Sequence, residues 1–234
     1  MIEEPPLLTV KDRPVAAPGE ALLKLAARLG AHPTSVLCDA MSGRGALSPE
    51  IKPLAPGTLP EGLAAPVLTV DCGPDDILAL AGALTEVRPG EALVVATHGW
   101  RGSAAFGDRV AGMARNNGCV GLVTDGLVRD RAGLIGVGLP IFCAGLSPNS
   151  PFSKGPGRIG LPVPLGGLSV ETGDIVVGDR DGAVIVPGAR AEEIADRADA
   201  VAQLETALDR EVAEGRKAAD PILELMRSDR VRRV

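Results

Sequence analysis

Gly118-Cys119-Val120-Gly121-Leu122-Val123-Thr124-Asp125-Gly126-Leu127-Val128-Arg129-Asp130 reads as a buried strand that runs through a turn and ends on a charged pair. Val120 to Thr124 is short and apolar, bounded by Gly118 and by Asp125-Gly126, the pattern of a strand covered on both faces. Ahead of it, Phe106 to Asn116 has helical spacing, opens near Gly107-Asp108-Arg109 and stops at Asn117-Gly118. Ala92 to Ala96, after the Pro89-Gly90 turn, is a second strand; Ala65 to Val70 and Leu139 to Ala144 are a third and fourth. Asp75 to Leu84 reads as a helix with acids in its first turn, where they complement the dipole, and Arg131 to Ile135 starts another. Strands alternating with short helices point to an α/β layer with parallel pairing.

The texture changes on either side of this region. Residues 1–18 are Pro-rich and suit an arm or edge segment; Glu20 to Leu29 has helical periodicity, and Thr34 or Ser35 opens a short helix ending at Met41. Residues 42–62 carry Gly and Pro too densely for a long element, and residues 147–160 read as a Pro-, Gly- and Ser-rich loop. Turns at Thr172-Gly173-Asp174 and Asp181-Gly182 frame Ile175 to Asp179 and Ala183 to Pro187, which predicts an antiparallel ribbon. Arg190 to Ala218 reads as one long charged helix. Its single apolar stripe, Ile194, Ala198, Val201, Leu204, Leu208 and Val212, suits its own domain or a neighbouring subunit. The organisation expected is an N-terminal arm and helix over 1–30, a catalytic domain over 31–190, and a C-terminal helical extension over 191–234 at a subunit interface.

Composition excludes several classes of function. With 234 residues and 45% apolar content the chain can bury a sizeable core. Aromatics make up only 2%, tyrosine is absent and the net charge is −6, so base stacking and phosphate neutralisation are both poorly supplied and no nucleic-acid partner is expected. Cys38, Cys72, Cys119 and Cys143 are widely spaced among apolar neighbours and suggest buried thiols rather than a zinc knuckle or disulfide framework. The longest charge-free stretch, residues 132–153, is broken throughout by Gly and Pro, and the N-terminus lacks a basic region before an apolar core, so no membrane span is expected and a cytoplasmic location is.

Chemistry concentrates where the opening stretch ends. Side chains just past the C-terminal ends of parallel strands line the ligand crevice of an open α/β sheet, and Arg129 and Asp130 stand there. A guanidinium beside a carboxylate suits a small anionic substrate and a divalent cation. The free N–H groups of a helix start at Gly107, Asp108, Arg109 and Val110 would hold a carboxylate or enolate oxygen, with Asp108 alternatively an N-cap. His98 and Trp100, beyond the 92–96 strand, are expected near the same crevice, and His32 beside a helix at the surface. Gly99, Gly102 and Gly107 match neither a dinucleotide fingerprint nor a P-loop, and no Ser–His–acid order or paired His spacing is present.

From about Pro33 to Arg190 the sequence resembles the RraA-like family, which includes 4-hydroxy-4-methyl-2-oxoglutarate aldolases. The resemblance is carried by Ser35-Val36-Leu37-Cys38-Asp39-Ala40, Ile51-Lys52-Pro53-Leu54, Pro89-Gly90-Glu91-Ala92-Leu93-Val94-Val95, the Gly107–Asp130 run, and Gly166-Gly167 through Pro187. It implies an α/β fold of the three-layer swivelling β/β/α type, assembled as homotrimers or homohexamers. It implies retro-aldol cleavage of a 4-hydroxy-2-oxo diacid to pyruvate, with oxaloacetate decarboxylation as a side activity. Arg129 would then bind the 2-oxo acid, Asp130 would ligate Mg²⁺ or Mn²⁺, the backbone of Gly107, Asp108, Arg109 and Val110 would hold the substrate, and Asp108 would stand near the metal. A glutamate from a neighbouring subunit's C-terminal helix would complete the site; Glu205, Glu211 and Glu214 are candidates, with Glu211 favoured. Some members of the family are instead regulators that bind a ribonuclease. The segments 97–101 and 148–160 depart from the aldolase pattern and are expected to set the substrate.

Overall fold

A computed structural model describes residues 6–13 and 18–234. In chain order the elements are β1 (Leu8–Val10), α1 (Glu20–Gly30), α2 (Thr34–Ala40), β2 (Lys52–Pro53), β3 (Leu63–Asp71), α3 (Leu78–Glu86), β4 (Ala92–Ala96), β5 (Ala104–Phe106), α4 (Asp108–Asn116), β6 (Gly121–Thr124) and β7 (Leu127–Val128). There follow α5 (Arg131–Val137), β8 (Ile141–Cys143), β9 (Gly157–Ile159), β10 (Val163–Leu165), β11 (Leu168–Val170), β12 (Ile175–Gly178), β13 (Ala183–Val186), α6 (Ala191–Ala213) and α7 (Asp220–Arg227).

β3 joins two layers because it is long enough to belong to both. Val67 to Asp71 pair in parallel with β4, while Leu63 to Pro66 pair antiparallel with β12. β4, β6 and β8 continue the parallel run, giving the order β1-β9-β3-β4-β6-β8-β2 with β12 and β13 branching from β3. The period-2 alternation of strand side chains then sorts the core. Leu68, Val70, Leu93, Val95 and Leu122 face α3, α4 and α5, whereas Ala65, Val67, Val94 and Val123 face the β10–β13 layer. On the far side of that layer, Ile175, Val177, Val184 and Val186 pack against α1, α2 and the start of α6. The result is the expected α/β architecture with a sheet-on-sheet interior and a long C-terminal helix. No helix among the described residues is long and apolar enough to cross a membrane.

Four boundaries differ from the sequence reading, each for a tertiary reason. α3 starts at Leu78 and not Asp75: the buried Asp76 accepts from Leu78 N at 2.7 Å, and its second oxygen accepts from Lys154 N and Gly155 N at 2.6 and 3.0 Å. Phe106 belongs to β5, and α4 begins only at Asp108. The 147–160 loop contains β9, which lies between β1 and β3, with Ile159 in the core and Arg158 on the buried Asp71. Three residues are too few to display a period. The 190–218 helix ends at Ala213 before Gly215, whose φ of 99° leaves helical space, and α7 follows.

α2 is capped from far along the chain. Thr34 N and Oγ1 donate to the Asp179 carboxylate at 2.8 and 2.9 Å, so neither Thr34 nor Ser35 caps the helix with its own oxygen. Burial opposes ionisation of Asp179, but the Thr34 bonds and those from Asp181 and Gly182 outweigh it and hold the pKa below the usual range. A depressed carboxylate adds stability that is present above its unfolded pKa of about 4 and is lost as pH falls through the folded value. Asp179→Asn is therefore expected to cost about 1 kcal/mol at pH 7, where the charged cap is lost. The gap to wild type should narrow by pH 3, as read from urea midpoints at both pH values.

Candidate functional site

The site is made where two short parallel strands end side by side. β5 pairs with β7, and past that pairing Arg129 N donates to Phe106 O at 3.0 Å. This bond sets Gly107-Asp108 next to Arg129-Asp130. After Gly107, in extended backbone, the chain enters α4; after Asp130, which adopts the left-handed conformation at φ 59°, it enters α5. The two helix starts consequently face each other, each carrying a carboxylate. Arg129 Nε lies 3.3 Å from Asp130 Oδ2, and its Nη1 donates to Ser150 Oγ.

Two glycines permit the approach. A Cβ on Gly107 would collide with Asp130 Oδ2 and stand 3.0 Å from Arg129 Cγ, and one on Gly133 would overlap the Asp108 carboxylate. The space enclosed is a cavity of about 410 Å³. Asp108, Arg109, Arg129 and Asp130 supply its polar wall, and Ile77, Phe106, Val110 and Pro151 its apolar one. Asp108 is the first helical residue and not the N-cap, and its Oδ1 accepts from Arg109 N at 2.7 Å. The N–H groups of Asp108 and Val110 have no intrahelical acceptor, as at any helix start, and remain as donors. No group of three His, Cys, Asp or Glu residues suited to a metal occurs among the described residues. A hard cation held by one or two carboxylates and otherwise by water is the case that Mg²⁺ favours, and the Asp130 carboxylate over Gly107 offers such a seat.

A second, larger cavity of about 870 Å³ lies under the β10–β11 hairpin and takes His98, which the sequence reading placed beside Arg129. Its charges are already spent on one another. Asp125 accepts from Thr97 N at 2.7 Å and Gly99 N at 2.9 Å; Arg101 reaches Glu50 and Asp125 O, each at 2.7 Å. His98 Nε2 and Arg158 Nε meet the buried Asp71 at 2.9 and 3.0 Å. Trp100 bonds Ser103 instead of any cavity group. The smaller cavity, whose charged groups face open space, is the better chemical site despite its size.

Other expected residues lie apart. Glu211 is exposed on α6 and ion-paired with Arg216, and no glutamate among the described residues lines the 410 Å³ cavity. His32 is half-buried on Asp199 of α6 at 2.7 Å, tying α1's end to that helix. All four cysteines are free thiols; burial pushes Cys72 up to about 12 and raises Cys119 and Cys143, which removes them as nucleophiles at neutral pH. Ile77, Ser150 and Pro151 were not foreseen at the site. For Ser150 and Pro151 the signal was the expectation that 148–160 sets the substrate, and for Ile77 there was none, since what brings the loop to Arg129 is the Asp76 clamp and the mutual backbone bonds of residues 75–77 with Phe152.

A sheet-on-sheet α/β body with paired helix starts carrying Gly-Asp and Arg-Asp defines the class, and the chain belongs to the RraA-like family: the Aldolase/RraA family model matches residues 34–185. A protein of Halalkalibacterium halodurans with the provisional name 4-hydroxy-4-methyl-2-oxoglutarate aldolase is 32% identical over 194 residues, 83% of this chain and 91% of that one. Streptomyces coelicolor RraAS2, described as an unusual member of the RNase ES inhibitor RraA family, superposes with TM-score 0.72 at 30% identity, covering 83% of this chain and all of that one. The RNA-processing inhibitor RraA of Thermus thermophilus gives 0.60 at 26% identity, covering 66% and 92%.

Gly107→Ala should cost about 1–3 kcal/mol through overpacking. In an Asp130→Ala background that cost should shrink by more than about 0.5 kcal/mol, measured by chemical denaturation of all four members of the double-mutant cycle. Strict additivity would mean the carboxylate is not what the added methyl meets.

Proposed function

We propose that the protein is a divalent-metal-dependent carbon–carbon lyase that cleaves a 4-hydroxy-2-oxo diacid, such as 4-hydroxy-4-methyl-2-oxoglutarate, to pyruvate. The observation that carries this reading is the meeting of Asp108 and Arg129-Asp130 in one cavity through the β5–β7 pairing. The H. halodurans relative supports the reaction class. Asp130 would hold Mg²⁺ or Mn²⁺, with water filling the other positions. When bound, the cation supplies Lewis acidity that draws electrons toward the 2-oxo group.

The protein's own groups divide the remaining work. The N–H groups of Asp108 and Val110 bind the carboxylate next to the 2-oxo carbon. Arg129, steadied by Ser150 and Asp130, faces the negative charge that develops on the C2 oxygen. The Asp108 carboxylate accepts the C4 hydroxyl proton. The C4–O bond becomes a carbonyl, the C3–C4 bond breaks and its electron pair is delocalised into the C2 oxygen as the enolate of pyruvate. Protonation at C3 releases pyruvate. Loss of CO₂ from oxaloacetate leaves the same enolate, which accounts for a decarboxylase side activity. Ile77, Phe106, Val110 and Pro151 exclude water from the reacting carbons.

The assembly belongs to the same proposal. Leu204, Leu208 and Val212 on α6 and Ile222 and Met226 on α7 expose an apolar stripe, Leu204 to 73%, which fits a homotrimer or homohexamer in which Glu211 or a neighbouring glutamate reaches the next subunit's site. Four free thiols fit the reducing cytoplasm. The similarity to RraAS2 favours a second reading, a ribonuclease-binding regulator of the same fold; co-purification with a ribonuclease and no lyase activity would select it.

The test is pyruvate release from oxaloacetate and from 4-hydroxy-4-methyl-2-oxoglutarate in Mg²⁺, with and without EDTA. Metal-dependent release from at least one is expected, and none from either would reject the lyase reading. Asp130→Asn should abolish metal-dependent turnover, and Arg129→Ala should lower kcat/KM by about 10² or more. Ser150→Ala should reduce kcat by about tenfold with little change in stability, since the hydroxyl orients Arg129 without filling core.

A further inference from the structure

Arg109 occupies a place that helix energetics argues against. It is the second residue of α4, where the unpaired N–H groups create a positive end that repels a cation. Its backbone N–H is taken by Asp108 Oδ1, but its guanidinium has no hydrogen bond or ion pair with any described residue. The other charged heads of the cavity wall differ: Arg129 is held by Asp130 and Ser150, and Asp108 by the Arg109 amide. A cation that breaks the local rule with no partner among the described residues, on the wall of a reactive cavity, is the kind of residue whose compensation comes from a ligand.

We infer that the Arg109 guanidinium binds the distal carboxylate of the substrate and so makes this site selective for 2-oxo diacids over 2-oxo monoacids. The inference rests on the 2-oxo acid reading given above and adds to it the residue that reads the second charge. Arg109 and Arg129 line the same cavity, with Asp108 directly before the one and Asp130 directly after the other. A 2-oxo diacid carries its two carboxylates at opposite ends. The end beside the 2-oxo group goes to the Asp108 and Val110 amides and Arg129, leaving the distal end for the free guanidinium. A planar fork of N–H donors is suited to that carboxylate, because both oxygens can be met at once. The apolar residues Ile77 and Val110 cover the chain between the two ends and offer no other group that would neutralise a charge.

The decisive measurement compares two ligands that share a five-carbon 2-oxo acid backbone and differ by the distal carboxylate, 2-oxoglutarate and 2-oxopentanoate. Neither carries the C4 hydroxyl that cleavage requires, so binding is read without turnover, by calorimetric titration of the full chain in Mg²⁺. Wild type is expected to prefer 2-oxoglutarate by about tenfold or more, the strength of a charge-assisted pair. Arg109→Leu should bring the ratio to within about twofold, and Arg109→Lys, which keeps the charge without the fork, should retain an intermediate preference. The leucine variant should melt no lower than wild type, because it removes a cation from the positive end of α4. A wild-type ratio preserved in Arg109→Leu would overturn the assignment while leaving the 2-oxo acid reading intact. Failure of wild type to bind either ligand would overturn that reading itself and the Arg109 role with it.

Discussion

One backbone hydrogen bond, Arg129 N to Phe106 O at 3.0 Å, holds the site together. It closes the register of β5 on β7, and everything reactive follows from where those two strands stop. Because the strands run parallel, both chains leave the pairing in the same direction and both enter helices. Parallel exits place two helix N-termini at one locus, and with them two sets of unpaired N–H groups and two carboxylates, Asp108 in the first turn of α4 and Asp130 at the N-cap of α5. The arrangement concentrates charge, and it requires that no side chain stand between the helix starts. Gly107 and Gly133 meet that requirement, each giving its space to the acid of the opposite helix.

The larger cavity shows why volume is a poor guide to chemistry. Its His98 is bonded to the buried Asp71 behind it, its Arg101 to Glu50 and the Asp125 carbonyl, and its Asp125 carboxylate to the Thr97 and Gly99 amides, a network in which acids and donors satisfy one another locally. Such a network locks the loop that follows β4 and leaves little field for a ligand. In the smaller cavity the groups are held from behind, Arg129 by Ser150 and Asp130 by its left-handed backbone, and so meet a substrate already oriented. The buried Asp76 extends this support outward. By gathering Leu78 N, Lys154 N and Gly155 N on one carboxylate, it fastens the 148–155 loop to the start of α3 and brings Pro151 to the rim.

The long C-terminal helix divides its labour along its length. Ile194, Ala195 and Ala198 are core residues against α1, α2 and the β12–β13 ribbon. Farther on, the same stripe emerges into solvent at Leu204, Leu208 and Val212. The sequence left two destinations open for this stripe; its first part covers the helix's own body, and its second part is the surface on which the proposed assembly depends.

Much of the architecture was readable from local pattern. The apolar strands at 92–96 and 121–124, the amphipathic α4 and the antiparallel ribbon all follow from periodicity and turn residues, because burial on one or both faces writes itself into the order of side chains. The Gly-Asp and Arg-Asp pairs were legible too, as glycine and charge placed at element ends. What lay beyond the sequence was anything settled by contacts distant along the chain: the capping of α2 by Asp179, the delayed start of α3 on Asp76, the strand at 157–159, and the presence of Ser150 and Pro151 at the site. The sequence determined the layers and the reactive residue types, since these depend on local geometry and solvent. Only the tertiary structure decided that His98 faces a different cavity from Arg129 and that the Arg109 guanidinium has no partner among the described residues. Hydrogen-bond partnership between residues tens of positions apart has no period and leaves no trace in the order of side chains.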